Sequence, residues 1–128
     1  MPAKGNPSAT ILIVDDDVSV REMLRLAFAA QGYEATAVAT STDCLDLLDA
    51  GAKFDVMIID VLMPRDTPHG FALGHMVRYR NPHQRLVYMS GAVETIPKAE
   101  LEAAEAPVLA KPARVGELLD AVRTALAA

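Results

Sequence analysis

Ile11-Leu12-Ile13-Val14 runs directly into Asp15-Asp16-Asp17, and that junction decides the fold. The first four of these residues are apolar and three are β-branched. A strand with one wet face alternates polar and apolar residues, whereas one apolar throughout is covered on both faces, as in a parallel sheet. The junction recurs downstream. Val56-Met57-Ile58-Ile59 ends on Asp60, Leu86 to Met89 ends on Ser90-Gly91, and the short Val108 to Ala110 ends on Lys111-Pro112. Glu34 to Ala39 reads as a weaker strand.

Helical spacing fills the intervals. Val20, Met23, Leu24, Ala27 and Phe28 fall on one stripe, with Arg21, Glu22 and Arg25 between them. Either Asp17 or Ser19 caps this helix, the latter with Glu22 completing a capping box. Gly32 stands where a glycine just past a helix end belongs. Thr40 or Ser41 opens a second helix carrying Leu45 and Leu48 and closed by Gly51. A loop from Met63-Pro64 through His69-Gly70 leads to a third, with Phe71, Leu73, Met76 and Val77. Thr95 to Glu105 is a poor helix on pattern, whereas Val115, Leu118, Leu119, Val122 and Leu126 form a clear final stripe. Five strands alternating with five helices predict a doubly wound parallel α/β sheet.

A chain of 128 residues suits one domain, with residues 1–9 as a disordered lead-in and 10–128 as the packed unit. A hydrophobic fraction of 52% with a net charge of only −5 argues against disorder. No apolar run approaches the ~18 residues of a membrane span, and Met1 to Thr10 lacks the apolar block of a secretory signal. Cys44 is the only cysteine, which excludes an intrachain disulfide and a cysteine-based zinc site. The acidic balance gives no support to direct nucleic-acid binding. These features predict a cytoplasmic protein with no membrane partner.

Ligands of open parallel sheets sit beyond the carboxyl ends of the strands. The polar residues delivered there are Asp15 and Asp16 after the first strand, Asp60 after the third, Ser90 after the fourth and Lys111 after the fifth. The second strand contributes only Thr40. Two carboxylates about 4 Å apart repel by roughly 4 kcal/mol at an effective dielectric near 20, so converging acids hold either protons or a cation. Oxygen ligands without His or Cys favour a hard ion, magnesium above all. A carboxylate beside magnesium can attack a phosphoryl group to give an aspartyl phosphate. The Ser90 hydroxyl and the compact Lys111 ammonium would then hold the phosphoryl oxygens.

The stretches "ILIVDDD", "VMIIDVLMP", "VYMSG" and "LAKP", in that order, resemble a two-component response-regulator receiver domain over about Thr10 to Leu126. The resemblance implies the flavodoxin-like strand order 2-1-3-4-5. It also implies that Asp60 accepts a phosphoryl group from a phosphohistidine on a sensor histidine kinase or phosphotransfer protein. Asp16 and Asp60 would ligate Mg2+ directly, with Asp15 acting mainly through water and the backbone carbonyl of Leu62 as a further ligand. Ser90 would move toward the phosphoryl group, Lys111 would be the family's amine, and Lys111-Pro112 would carry a cis peptide. Such a chain modifies itself and is not a turnover enzyme; its kinase and output partner are not written in the sequence.

Four departures from the family pattern stand out. Gly70 follows Pro64 by six residues rather than four, with Arg65, Asp66, Thr67, Pro68 and His69 between. Val108 stands where the family commonly has an aromatic that rotates inward, Ala113 where a Phe often follows Lys-Pro, and Glu105-Ala106-Pro107 where glycine is usual. Leu62 and Ala92, bordering the acceptor, offer no side-chain base for water, so hydrolysis is expected to depend mainly on magnesium-assisted geometry.

Two other functional classes compete. One is a phosphohydrolase of the haloacid-dehalogenase kind, which Asp15-Asp16-Asp17-Val18-Ser19 approaches, although the late acidic pair it needs is missing after Ser90. The other is a receiver-like docking module that works without phosphorylation, to which Val108 and Ala113 lend weight. Outside the site, the plain structural readings prevail. His69, His75 and His83 read as surface or loop residues, Cys44 as half-buried packing, and Arg78, Arg80 and Arg85 as a solvated helix end. Met23, Met57, Met76 and Met89 read as core.

Overall fold

The computed structural model describes residues 9–63, 69–111 and 114–128. Strands β1 (Thr10–Val14), β2 (Glu34–Val38), β3 (Val56–Asp60), β4 (Arg85–Ser90) and β5 (Val108–Ala110) form one parallel sheet in the order β2-β1-β3-β4-β5. Helices α1 (Val18–Ala30), α2 (Ser41–Asp49), α3 (Gly70–Arg80), α4 (Lys98–Ala103) and α5 (Val115–Ala127) alternate with them. This is the doubly wound, flavodoxin-like arrangement expected. Residues 1–8 of the proposed lead-in, the cis Lys111-Pro112 bond, Ala113 and most of the Pro64–His69 loop lie outside the described residues. Ala9, counted with the lead-in, is buried, and its carbonyl accepts from the Glu34 N–H at 3.0 Å.

Two apolar layers explain why Ile11 to Val14 of β1 and Val56 to Ile59 of β3 are apolar at every position. Ile11, Ile13, Val56 and Ile58 pack with Leu24 and Phe28 of α1 and Leu118, Leu119 and Val122 of α5. Leu12, Val14, Met57 and Ile59 pack on the other face with Cys44 of α2 and Phe71, Leu73 and Val77 of α3. Each central strand therefore removes both of its faces from water, at about 25 cal/mol per Å² of apolar surface.

Helix ends follow local chemistry. Asp17, not Ser19, caps α1, accepting from the Ser19 and Val20 N–H groups at 2.8 and 3.3 Å. Thr40 Oγ1 caps α2 by accepting from the Asp43 N–H at 3.1 Å. Gly32 and Gly51 follow α1 and α2 with φ of 92° and 101°, a left-handed turn that an L side chain resists.

Several expectations need correction. The fourth helix divides into a 3-10 turn (Val93–Thr95) and α4, because Pro97 stands at the N-cap and holds the preceding Ile96 in an extended conformation (ψ 125°). Met57 and Met89 are core, but Met23 and Met76 are exposed, since the stripes of α1 and α3 are narrower than spacing alone suggests. Cys44 is fully buried rather than half-buried. Arg78 is no solvated helix end: Nε donates to Gln84 O, Nη1 to Ala104 O and Nη2 to Glu105 O, at 3.2, 2.9 and 3.2 Å. Arg80 pairs with Asp49 at 2.9 Å, and Arg85 donates to the Ala128 carbonyl at 2.8 Å.

Candidate functional site

Sheet register brings the strand-end residues together. Val14 pairs with Ile59, so the next residues, Asp15 and Asp60, emerge side by side from the two central strands. Asp60 pairs with Met89 and Ser90 with Ala110, which places Ser90 and Lys111 at the same edge. The chain turns outward to β2 from β1 and returns on the other side as β3, so this edge is the topological switch point of the sheet.

One carboxylate oxygen from each of Asp15, Asp16 and Asp60 lies within 4.8 Å of the others. Asp15 and Asp60 are buried and Asp16 is exposed, so the cluster opens to water on the Asp16 side. The Lys111 ammonium bridges the buried pair, at 2.7 Å from Asp15 Oδ2 and 3.2 Å from Asp60 Oδ2. Backbone groups fix the remaining oxygens. The Asp17 N–H donates to Asp15 Oδ1 at 2.9 Å and the Leu62 N–H to Asp60 Oδ1 at 3.3 Å. Ser90 Oγ accepts from the Ala92 N–H at 3.1 Å.

Burial and the neighbouring Asp15 push the Asp60 carboxyl above its ordinary range, and Lys111 and the Leu62 N–H only partly offset them. Burial alone would lower the Lys111 ammonium, but its bond to Asp15 and the charges of both acids outweigh it and hold the group above its ordinary value. Lys111 is therefore charged at neutral pH, in a site whose donors are otherwise all oxygen. Three carboxylates this close, with one open side, fit a hard divalent ion.

Five of the expected strand-end groups, Asp15, Asp16, Asp60, Ser90 and Lys111, thus reach one edge. Thr40, at the end of β2, caps α2, its Oγ1 accepting from the Asp43 N–H. The Leu62 side chain is exposed, while its N–H holds Asp60. Two supporting residues escaped the sequence reading. Arg21 Nη1 donates to the Asp15 carbonyl at 3.1 Å; its place among the helix charges gave no signal. Gly70 lies against the acceptor's own backbone, where a Cβ would strike the Asp60 carbonyl oxygen and the Val61 Cα. Only its spacing from Pro64 marked it beforehand. A cleft of about 810 Å³ lies at the opposite, amino end of the sheet, lined by Asp49, Lys53, Arg80 and His83 among others.

A model of the response regulator receiver domain matches residues 11–123. The chain belongs to that family. This receiver is similar to the regulatory protein VirG of Agrobacterium tumefaciens, 28% identical over 124 residues that cover 96% of this chain and 45% of VirG. It thus spans less than half the length of that relative. The structure of a receiver protein from Sinorhizobium medicae superposes with a TM-score of 0.82 at 25% identity, over 94% of this chain and 96% of that one. The Francisella response regulator 1452 receiver domain shares the fold, with a TM-score of 0.82 at 24% identity over 94% and 98% of the two chains. As a receiver, the chain is a signalling phosphoacceptor module rather than a classical enzyme, and its acidic triad is of the kind that receivers use for magnesium. Receivers as a class partner histidine kinases. Family membership removes the phosphohydrolase reading. Among the described residues, no helix is long and apolar enough to cross a membrane.

Proposed function

We propose that this receiver takes a phosphoryl group onto Asp60 from a phosphohistidine of a sensor histidine kinase or phosphotransfer protein. The observation that carries the proposal is the convergence of Asp15, Asp16 and Asp60 on one edge, with Lys111 bridging the two buried acids. Asp16 and Asp60 would hold Mg2+, with the Leu62 carbonyl as a further ligand and Asp15 reached through water. Bound there, the ion would supply positive charge to a phosphoryl group approaching the acidic cluster.

In the transfer, Asp60 Oδ attacks phosphorus and a new O–P bond forms while the donor's N–P bond breaks. The electron pair stays on the imidazole nitrogen, which then takes up a proton. Asp60 suits this step because the Leu62 N–H orients one carboxylate oxygen. Lys111 is within reach of that carboxylate and would follow its charge onto the phosphoryl oxygens. The Ser90 hydroxyl accepts from the Ala92 N–H, which leaves its own proton available to a phosphoryl oxygen.

Incubation with a small acyl-phosphate donor, with and without Mg2+, followed by intact-mass measurement, tests the proposal. Wild type should gain one phosphoryl group only when Mg2+ is present, and Asp60→Asn should gain none. Equal partner binding by wild type and Asp60→Asn would instead favour the docking module that needs no phosphorylation.

A further inference from the structure

We propose that α3 is the strut that carries a change at the acceptor edge to the turn between α4 and β5, with Tyr88 engaging it at one end and Arg78 at the other. The inference rests on the phosphoacceptor reading and names how that site would be read out.

The helix begins in contact with the acceptor. Gly70 N–H donates to the Val61 carbonyl at 2.8 Å, and no room exists for a side chain between Gly70 and the Asp60 carbonyl. Phe71 follows, and its ring meets that of Tyr88 edge-on, with centroids 4.8 Å apart. Tyr88 stands two residues before Ser90 and is only 2% exposed. Its hydroxyl lies over Gly74, where a Cβ would strike it. A shift of the β4 end at Ser90 therefore presses a rigid ring against α3 at both Phe71 and Gly74. Close packing transmits such a shift because it leaves no space to absorb it.

Val108 faces Tyr88 in register and packs into the same core. The ring on this face belongs to β4, at Tyr88, and not to β5, so coupling here falls to β4 and α3. One turn beyond Gly74, Arg78 spreads its guanidinium over three carbonyl oxygens, of Gln84, Ala104 and Glu105. It has no carboxylate partner among the described residues. Ala104 is the C-cap of α4, and Glu105 holds a φ of 48°, a left-handed conformation unusual for a residue with a side chain. Arg78 thus ties the far end of α3 to the strained turn that leads into β5.

The test is amide hydrogen exchange on the full chain with Mg2+ alone and with Mg2+ plus beryllofluoride, a phosphoryl mimic. In wild type, exchange at residues 104–108 should change on adding beryllofluoride. Arg78→Lys keeps the charge but loses the planar fork; that response should shrink by about tenfold, within the range of ordinary coupling energies. Acyl-phosphate incorporation, followed by mass, should be unchanged. At the other end Tyr88→Phe should keep the response and Tyr88→Leu should lose it. Full response at residues 104–108 in Arg78→Lys, or in Tyr88→Leu should Arg78→Lys fail to fold, overturns the strut. Absence of phosphoryl incorporation in wild type is a separate result that sinks the phosphoacceptor reading and the strut with it.

Discussion

Asp60 sits where burial and Asp15 both disfavour its charge, with Lys111 as partial compensation. Its carboxyl is raised above the ordinary 3.8, so folding favours the protonated form. That contribution is complete below the unfolded value and is lost as pH rises through the folded one. Metal-free wild type should therefore lose stability over that interval relative to Asp60→Asn. Urea unfolding at a series of pH values from about 4 to 7 checks it, with Asp60→Asn expected to be more stable by about 1 kcal/mol at the upper end. The same proton must leave before a cation is held, so Mg2+ affinity should fall as pH drops through the raised Asp60 value, as a titration followed by thermal shift would show. Cys44 gives a contrasting case. Burial pushes its thiol up to about 12, outweighing the attraction of Arg80, so the thiolate that reacts is nearly absent at neutral pH. A maleimide should label it only in denaturant, and rapid labelling of native protein would contradict its burial. Asp15, Asp60 and Ser90 were legible because each ends a fully apolar run; Arg21 and Tyr88 were not, since their contacts join residues whose proximity only the packed fold creates.

Elements differ in how far their sequences specify them. Strands β1 and β3 declare themselves by unbroken apolar runs, Ile11 to Val14 and Val56 to Ile59, and α5 by its stripe. Helix α4 has six residues and none buried, so periodicity had little to report, and Pro97 decided its start instead. Helix α3 is the informative intermediate: two glycines let it approach the sheet closely, a role that a hydrophobic pattern does not reveal. Gly70→Ala should cost about 1–3 kcal/mol, the usual range for overpacking, and should lower phosphoryl incorporation by displacing the Asp60 backbone. Chemical denaturation and the mass assay would separate the two effects. The cap of α3 is His69 Nδ1, which accepts from the Phe71 N–H at 3.3 Å. Serine caps well, so His69→Ser should stabilise the fold by about 0.5 kcal/mol, read from its denaturation midpoint.

At the scale of the molecule, parallel packing puts every proposed reacting group at one edge and leaves the opposite edge to turns such as those at Gly32 and Gly51. An ion that binds only where Asp15, Asp16 and Asp60 converge selects the native state, so melting temperature should rise with Mg2+ concentration. At 100 times the dissociation constant the gain would be about 2.7 kcal/mol. Asp16→Asn should blunt that rise, since Asp16 is the exposed member of the triad; an equal rise in both proteins would place the ion elsewhere. The doubly wound parallel class was legible from alternation of strand and helix and the strand order only through the family resemblance, whereas the division of labour between α3 and α4 depended on Arg78, whose three carbonyl partners lie on two other segments. The placement of the aromatic residues has an optical consequence. The chain has no tryptophan and three tyrosines, of which Tyr33 and Tyr88 are buried while Tyr79 is 91% exposed. Near-ultraviolet dichroism, which needs an asymmetric rigid surrounding, will therefore arise mainly from one phenol at each end of the sheet, so this protein carries its own unlabelled reporter beside the acidic edge.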